Sequence, residues 1–141
     1  MFDRFLYEKS VTYQECLIIP FVYSCIDGQN VYSYALLSEQ GYTSLLHQAE
    51  NPARLYSCKI AGIIAIAKQH LDNQVTLEGS RYFRRRYTYN HNLIIIHREA
   101  NKCFYDHYAP TKLVNIAAPK IFNSTSDCIE WVKSGLERNR R

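Results

Sequence analysis

The chain has 141 residues and a net charge of +4, with 47% hydrophobic and 21% charged residues. This is ordinary composition for a globular protein with room for a core. The longest apolar run, Ile60 to Ala67, is far shorter than the ~20 residues of a membrane-spanning helix. The N-terminus contains Asp3 and lacks the apolar segment of a signal peptide. We therefore expect one cytoplasmic domain over residues 1–141, with a flexible basic tail at 138–141.

Five cysteines are spread along the chain without a CxxC pair. Their odd number and wide spacing favour free thiols in a reducing compartment over a disulfide framework or a structural zinc site. We expect them to be small buried hydrophobic residues with unreactive thiols, because burial in apolar surroundings raises the thiol pKa. They are Cys16, Cys25, Cys58, Cys103 and Cys128.

The first elements predicted are a short helix and a β-hairpin. Residues 2–9 have apolar positions at helical spacing, and Val11 to Ile26 is rich in β-branched and aromatic residues typical of strands. Pro20 cannot donate to a β-ladder, so we expect a sheet edge or a bulge at that position. Asp27-Gly28 predicts a turn into a second strand over Asn30 to Leu37.

Helical patterns follow the hairpin. Gly41 to Asn51 predicts a short helix or loop that ends before Pro52. Leu55 to Leu71 predicts the main buried helix, because apolar residues recur in it at spacings of three and four. Gly62 lowers the helix propensity by roughly 1 kcal/mol relative to alanine, and we expect it to permit close packing.

The second half of the chain predicts strands and a final helix. Val75 to Leu77 predicts a brief strand, and Tyr82 to His97 predicts one long strand or two strands joined by a bend. Cys103 to Tyr108 predicts a returning strand. The segment Ser124-Thr125-Ser126-Asp127 offers good N-cap side chains for a C-terminal helix. The amphipathic positions of this helix are Ile129, Val132 and Leu136.

The predicted order is roughly α-β-β-α-β-β-β-α. It indicates an α+β fold in which a central antiparallel sheet is flanked by helices. This element order is similar to that of roadblock, profilin and PAS-type domains. The resemblance implies a small α+β fold and assigns no residue and no activity.

Positive charge is concentrated in the second half of the chain, since residues 1–80 sum to −3 and residues 81–141 sum to +7. Its densest part mixes arginines with aromatic rings. Arginine binds phosphate with two hydrogen bonds, and tyrosine rings stack on nucleic-acid bases. We therefore predict a non-enzymatic protein that binds a polyanion, with nucleic acid as the first candidate. The predicted binding residues, called the basic-aromatic patch, are Arg81, Tyr82, Arg84, Arg85, Arg86, Tyr87, Tyr89 and His91.

Two other interpretations remain open for this stretch. On one continuous strand, Tyr87, Tyr89 and His91 would share a face, and the arginines could simply protect a solvated edge strand from aggregation. The chain also has 12 tyrosines. Tyrosine is enriched at protein interfaces, which favours a protein-interaction or homo-oligomerisation module as the alternative function.

Arg86 and His91 also form an R-x4-H pattern. This pattern resembles the catalytic motif of HEPN ribonucleases, which lies at a helix and acts on the scissile phosphate of RNA. The resemblance implies a weaker alternative, a metal-independent ribonuclease that uses these two residues. The sequence has no GxSxG, P-loop, GxGxxG or HExxH motif, so we assign no catalytic residue and no cofactor.

Histidines offer the last candidate site. On one strand, His91 and His97 would stand ~20 Å apart, too far to share a metal ion. His97 could instead meet Asp106 or His107 across a hairpin, as a metal site or a general base would require. We favour a hydrogen-bonded histidine in the sheet and predict no metal site.

Overall fold

The computed structural model describes residues 3–39, 47–72 and 85–138. In these ranges a 3-10 turn at Tyr7–Lys9 precedes six strands and two α-helices. The α+β class is confirmed, and the order βββαβββα roughly matches the prediction. The strands are β1 (Val11–Tyr13), β2 (Cys16–Ile26), β3 (Gln29–Ser38), β4 (Arg86–Tyr89), β5 (Asn92–Glu99) and β6 (Lys102–Tyr108). The helices are α1 (Ile60–Asp72) and α2 (Thr125–Arg138).

The described strands form two antiparallel sheets of three strands each, in the orders β1-β2-β3 and β4-β5-β6. The chain divides into two compact units, Met1–Phe83 and Arg84–Arg141. The first sheet and α1 belong to the first unit. The second sheet and α2 belong to the second unit, which contains the described part of the basic-aromatic patch.

Pro20 lies on the central strand β2 but beyond the part of that strand that pairs with β1. The short strand β1 pairs with Cys16 to Ile18, so it ends before the proline. Beyond it, the Leu6 N–H donates to the Pro20 carbonyl at 2.9 Å. The bulge of β2 lies between Val22 and Ser24. The proline and the bulge are therefore separate features of the strand.

The hairpin turn between β2 and β3 is confirmed at Asp27-Gly28. Asp27 has φ 53° and Gly28 has φ 79°, and Ile26 pairs with Gln29. This is a two-residue turn with both residues in the left-handed region, the type that glycine favours. A second tight turn, between β1 and β2 at Gln14 (φ 54°), was not predicted because the sequence there contains no glycine.

The main helix begins at Ile60 rather than at Leu55. The reason is a pair of main-chain hydrogen bonds before the helix. Tyr32 N–H donates to the Ser57 carbonyl at 2.6 Å, and Ser57 N–H donates to the Tyr32 carbonyl at 3.4 Å. This pairing holds the preceding segment extended against β3. The predicted apolar face is confirmed, since Ile63, Ala67 and Leu71 are buried in one cluster with residues of β2 and β3.

Of the two forms predicted for Tyr82 to His97, the described residues show the second, two strands joined by a turn. Asn90 (φ 49°) and His91 (φ 66°) form this turn, and Tyr89 pairs with Asn92 across it. Of the four candidate N-cap residues, the structure uses Ser124, because the Asp127 N–H donates to its Oγ at 3.1 Å. Val75 to Leu77 lies outside the described residues, as does the part 41–46 of the predicted segment Gly41 to Asn51.

The helix α2 covers one face of the second sheet. Ile94, Ile96 and Cys103 are buried in one cluster with Cys128 and Val132 of the helix. On the opposite face, Leu93 and Ile95 are also fully buried. The unbroken run Leu93 to Ile96 thus reflects a strand that is buried on both faces.

The cysteines divide into two classes. Cys16, Cys103 and Cys128 are buried, and burial raises the pKa of Cys16 and of Cys128 to about 11 each. The prediction was wrong for Cys25 and Cys58, which are exposed. Cys25 lies near the exposed end of the β2–β3 hairpin, and Cys58 lies in the segment that precedes α1.

Candidate nucleic-acid interface

The described part of the basic-aromatic patch lies on β4 and on the residues that flank this strand. Arg86, Tyr87 and Tyr89 lie on this strand, Arg85 precedes it, and His91 lies in the following turn. The patch is therefore split between a strand and a turn, and His91 does not continue the face of the two tyrosines. The remaining predicted residues, Arg81, Tyr82 and Arg84, lie outside the described residues.

The two tyrosines of β4 face the helix α2. Tyr87 pairs in register with Ile94, whose side chain belongs to the cluster that contains Val132 of α2. Side chains at alternate positions of a strand share a face, so Tyr89 points to the same side. The Tyr87 side chain remains 39% exposed, which makes it the ring most open to a ligand on this strand.

Tyr89 is held by two charged residues of α2. Its hydroxyl donates to the carboxylate of Glu137, and the ammonium of Lys133 lies 5.2 Å from the centroid of its ring. This geometry is a cation–π contact. Lys133 and Glu137 are one helical turn apart, so the helix presents one positive and one negative group to the same ring.

A groove of about 250 Å³ opens between β4 and α2. Its volume is just below the range of drug-sized ligand pockets, so it would suit one small ring or group. Tyrosine rings, aliphatic side chains and one ammonium group form its walls. The lining residues are Tyr87, Thr88, Tyr89, Ile94, Ile129, Val132 and Lys133.

The two described arginines of the patch differ in exposure. Arg85 is exposed, and it forms no ion pair within residues 3–39, 47–72 and 85–138. Arg86 is half-buried, and burial lowers the pKa of its guanidinium. Arg85 therefore provides the more accessible positive charge, while Arg86 is partly withdrawn into the fold.

A buried asparagine fixes the turn that carries His91. The Asn92 side-chain Nδ2 donates to the carbonyls of Tyr89 at 3.3 Å and Asn90 at 3.0 Å. Its Oδ1 lies 2.9 Å from Nε2 of His107. Because this amide oxygen can only accept, His107 must donate from Nε2. Burial lowers the pKa of His107, which is consistent with a neutral ring in this position.

The R-x4-H pair lies on a strand and a turn. Arg86 is the first residue of β4, and His91 is exposed in the turn that follows. In HEPN ribonucleases the corresponding motif lies at a helix, so the local structure of this chain differs from that of the family. The ribonuclease alternative stays a prediction with no geometric support from β4.

His97 does meet Asp106 across the β5–β6 hairpin, as the register allows. His97 Nε2 lies 3.7 Å from Asp106 Oδ1, and the imidazole stacks on the Phe104 ring at 5.7 Å. The Asn115 Nδ2 donates to the same carboxylate oxygen at 2.8 Å. In the described part of the chain, no group of three or more His, Cys, Asp or Glu residues could hold a metal ion.

Sequence reasoning missed the contribution of α2 to this interface. Lys133 follows Val132 on the flank of the apolar stripe, and Glu137 lies one turn later. The amphipathic pattern could have indicated that Lys133 borders the face that packs on the sheet. It could not indicate that Tyr89 would lie beneath the lysine, since that requires the register of β4.

No family model, no curated protein and no solved structure matches this chain. Neither α1 nor α2, the helices of the described ranges, is long and apolar enough to cross a membrane.

Proposed function

We propose that this chain is a non-enzymatic protein that binds a polyanion, with nucleic acid as the preferred class, through β4 and the groove beside α2. The observation that carries the proposal is the exposed Tyr87 ring of β4, the exposed Arg85 immediately before that strand and the Lys133 ammonium of the neighbouring helix.

Tyr87 and Arg85 have separate roles in the proposal. The Tyr87 ring offers a surface on which a base can stack, an interaction worth ~1–3 kcal/mol per base. The guanidinium of Arg85 would bind phosphate. The carboxylate of Glu137 is negatively charged and would repel a polyanion. This carboxylate is held by Tyr89, whose hydroxyl donates a hydrogen bond to it.

The first prediction concerns the charge of Arg85. We expect Arg85→Ala to weaken binding to a fluorescently labelled single-stranded oligonucleotide at every sequence tested. In a plot of log binding constant against log salt concentration, the slope should become shallower by about 0.7 for each lost phosphate contact. Fluorescence anisotropy over a series of salt concentrations measures both quantities.

Lys102→Ala is the matched control, because Lys102 is exposed and begins β6, where it pairs with Glu99 at the end of β5 far from Asn92. It removes the same charge and should change the affinity and the slope much less. An equal loss in the two variants would show that only the overall charge matters. Absence of measurable binding by the unmodified chain would remove the proposal.

A protein-interaction function is the second candidate, and an exposed aromatic pair of the first unit favours it. Tyr23 is 51% exposed and Tyr56 44% exposed, and their ring centroids lie 4.7 Å apart. Leu55 beside them is 56% exposed. Exposed apolar groups that cluster in this way are typical of interaction surfaces.

The second prediction tests the protein-interaction function by measuring whether the chain is a monomer or a dimer. If this aromatic pair joins two copies of the chain, analytical ultracentrifugation should show a dimer that Tyr56→Ser converts to a monomer. Tyr87→Ser, which changes an exposed tyrosine of the second unit, is the control and should leave the dimer intact. A monomer at all concentrations would contradict self-association through this surface.

A further inference from the structure

A second site lies at the outer edge of β6, at the side of the sheet opposite to β4. Residues 115–122 run along this edge and are bonded to it at two places. Cys103 and Phe122 exchange two main-chain hydrogen bonds of 2.8 and 2.9 Å, and the Ile116 N–H donates to the His107 carbonyl at 2.8 Å. Three residues separate these points on β6, whereas five separate them on the segment. The segment must therefore bow away from the strand.

Tyr105 lies in the middle of the bowed region. Alternate residues of an antiparallel strand direct both main-chain polar groups to the same side. Cys103 and His107 bond outward, so the N–H and C=O of Tyr105 also point outward. A regular ladder would place Lys120 opposite Tyr105, but the Lys120 N–H donates to the Ala118 carbonyl at 2.8 Å.

The main-chain groups of Tyr105 consequently have no hydrogen-bond partner among the residues that the structure describes. Tyr105 is only 6% exposed. Main-chain donors and acceptors at buried positions are nearly always paired in proteins. A ligand that presents an acceptor beside a donor would satisfy both groups of Tyr105 at once.

The space over Tyr105 is a groove of about 420 Å³, which falls within the range of small-molecule sites. One wall includes the stacked rings of His97 and Phe104, with interplanar angle 17°. The residues that line it are His97, Phe104, Tyr105, Asp106, Asn115, Ala117, Ala118, Pro119, Lys120 and Ile121.

Asp106 adds an acceptor to this groove. Its Oδ1 accepts from Asn115 Nδ2 at 2.8 Å and lies 3.7 Å from His97 Nε2. Its Oδ2 has no hydrogen-bond partner within the described ranges. Asp106 Oδ2 and the two main-chain groups of Tyr105 thus place one donor and two acceptors beside the aromatic rings of His97 and Phe104.

We propose that this groove binds a nucleobase, whose donor–acceptor edge pairs with the N–H and C=O of Tyr105 while Asp106 accepts from an exocyclic amino group. A nucleobase is planar, which suits the aromatic rings of the groove. It also has adjacent donor and acceptor atoms, which suit the main-chain groups of Tyr105. A free nucleotide and an unpaired base of a strand share this chemistry. The inference uses no residue of β4 and stands apart from the proposed function.

The test is an NMR titration of the full ¹⁵N-labelled chain with AMP, CMP, GMP and UMP. The amide chemical shifts report binding. We expect the amide signals of Tyr105, Asn115 and Ile116 to move with at least one nucleotide that carries an amino group. Ribose 5-phosphate and N-methylacetamide should leave them unchanged. If either compound moves these signals as the nucleotides do, the nucleobase assignment is wrong.

Two variants decide whether the groove is the site. Ala117→Phe should fill it and reduce the affinity at least about tenfold, which corresponds to the loss of one good hydrogen bond. Asp106→Asn should reduce the preference for amino-bearing bases over UMP, and it decides the question if Ala117→Phe does not fold. Asp127→Asn, at an exposed position of α2, is the control. Unchanged binding in Asp106→Asn would overturn the proposal.

Two additions to this titration test whether the ligand is a strand or a free nucleotide, and whether the groove binds without the help of Arg85. A single-stranded oligonucleotide that moves these amides at lower concentration than its mononucleotide would identify a strand as the ligand, and the reverse order would identify the free nucleotide. Arg85→Ala should leave mononucleotide binding intact. If it abolishes that binding, the groove does not act by itself and the inference fails.

Discussion

At the scale of single residues, the two helix glycines have opposite surroundings. A Cβ on Gly62 would lie 2.2 Å from Ser57 Oγ and 3.0 Å from Ser57 Cβ, whereas a Cβ on Gly135 would meet nothing within 4 Å. Ser57 Oγ cannot turn away freely, because it accepts a hydrogen bond from the Lys59 N–H at 3.2 Å. The close approach of Ser57 therefore favours glycine over alanine at position 62.

The third prediction compares alanine at these two positions. Gly135→Ala should raise the free energy of unfolding by up to about 1 kcal/mol through helix propensity. Gly62→Ala should lower it by about 1–3 kcal/mol, because the clash outweighs the gain in propensity. Urea denaturation followed by circular dichroism measures both changes.

Ser57→Gly in the Gly62→Ala background tests the cause of the loss. Removal of the serine side chain eliminates both contacts below 3.4 Å, so part of the lost stability should return. Equal stabilisation by the two alanine substitutions would contradict the contact. The sequence predicted close packing at Gly62 but could not identify Ser57, because the helical pattern from Leu55 placed the serine inside the helix.

At the scale of elements, turns explain what the sequence predicted and what it missed. Asp27-Gly28 was predicted because glycine favours the left-handed backbone. The turn at Asn90-His91 also has positive φ angles, although it contains no glycine. It depends on Asn92. The hydrogen bonds of Asn92 reach His107 on β6, so they follow from strand register, which single-residue preferences do not encode.

The same limit applies to the two candidate sites. The arginine and tyrosine content of β4 is visible in the sequence, whereas the groove also needs Lys133 from α2. The unpaired main chain of Tyr105 depends on the surplus of residues between Ile116 and Phe122. Composition therefore predicts which side chains are available, and the pairing of distant segments determines where cavities open.

At the scale of the whole molecule, buried titratable groups couple stability to pH. Burial lowers the pKa of His107 in the second unit and of His47 in the first, both from an ordinary value of 6.5. Burial raises the pKa of Asp106 and of Glu39 from 3.8 and 4.5. The two histidines therefore change the stability of the fold near neutral pH, and the two acids change it at lower pH.

The sign of the histidine effect follows from proton binding. Below pH 6.5, the unfolded chain binds protons at these histidines that the folded chain does not bind. The stability they contribute is thus complete above this pH and is lost as the pH falls. The acids act in the opposite direction, since their raised pKa values make the folded chain bind more protons at a pH near their ordinary pKa values.

The fourth prediction is that the free energy of unfolding is lower at about pH 5.5 than at about pH 7.5. Urea denaturation at both pH values measures the difference. His107→Gln should reduce the difference, because glutamine can still donate to Asn92 and does not titrate in this range. His91→Gln, the same substitution at an exposed position of the adjacent turn, is the matched control. If His107→Gln keeps the full pH dependence, the buried ring does not govern it.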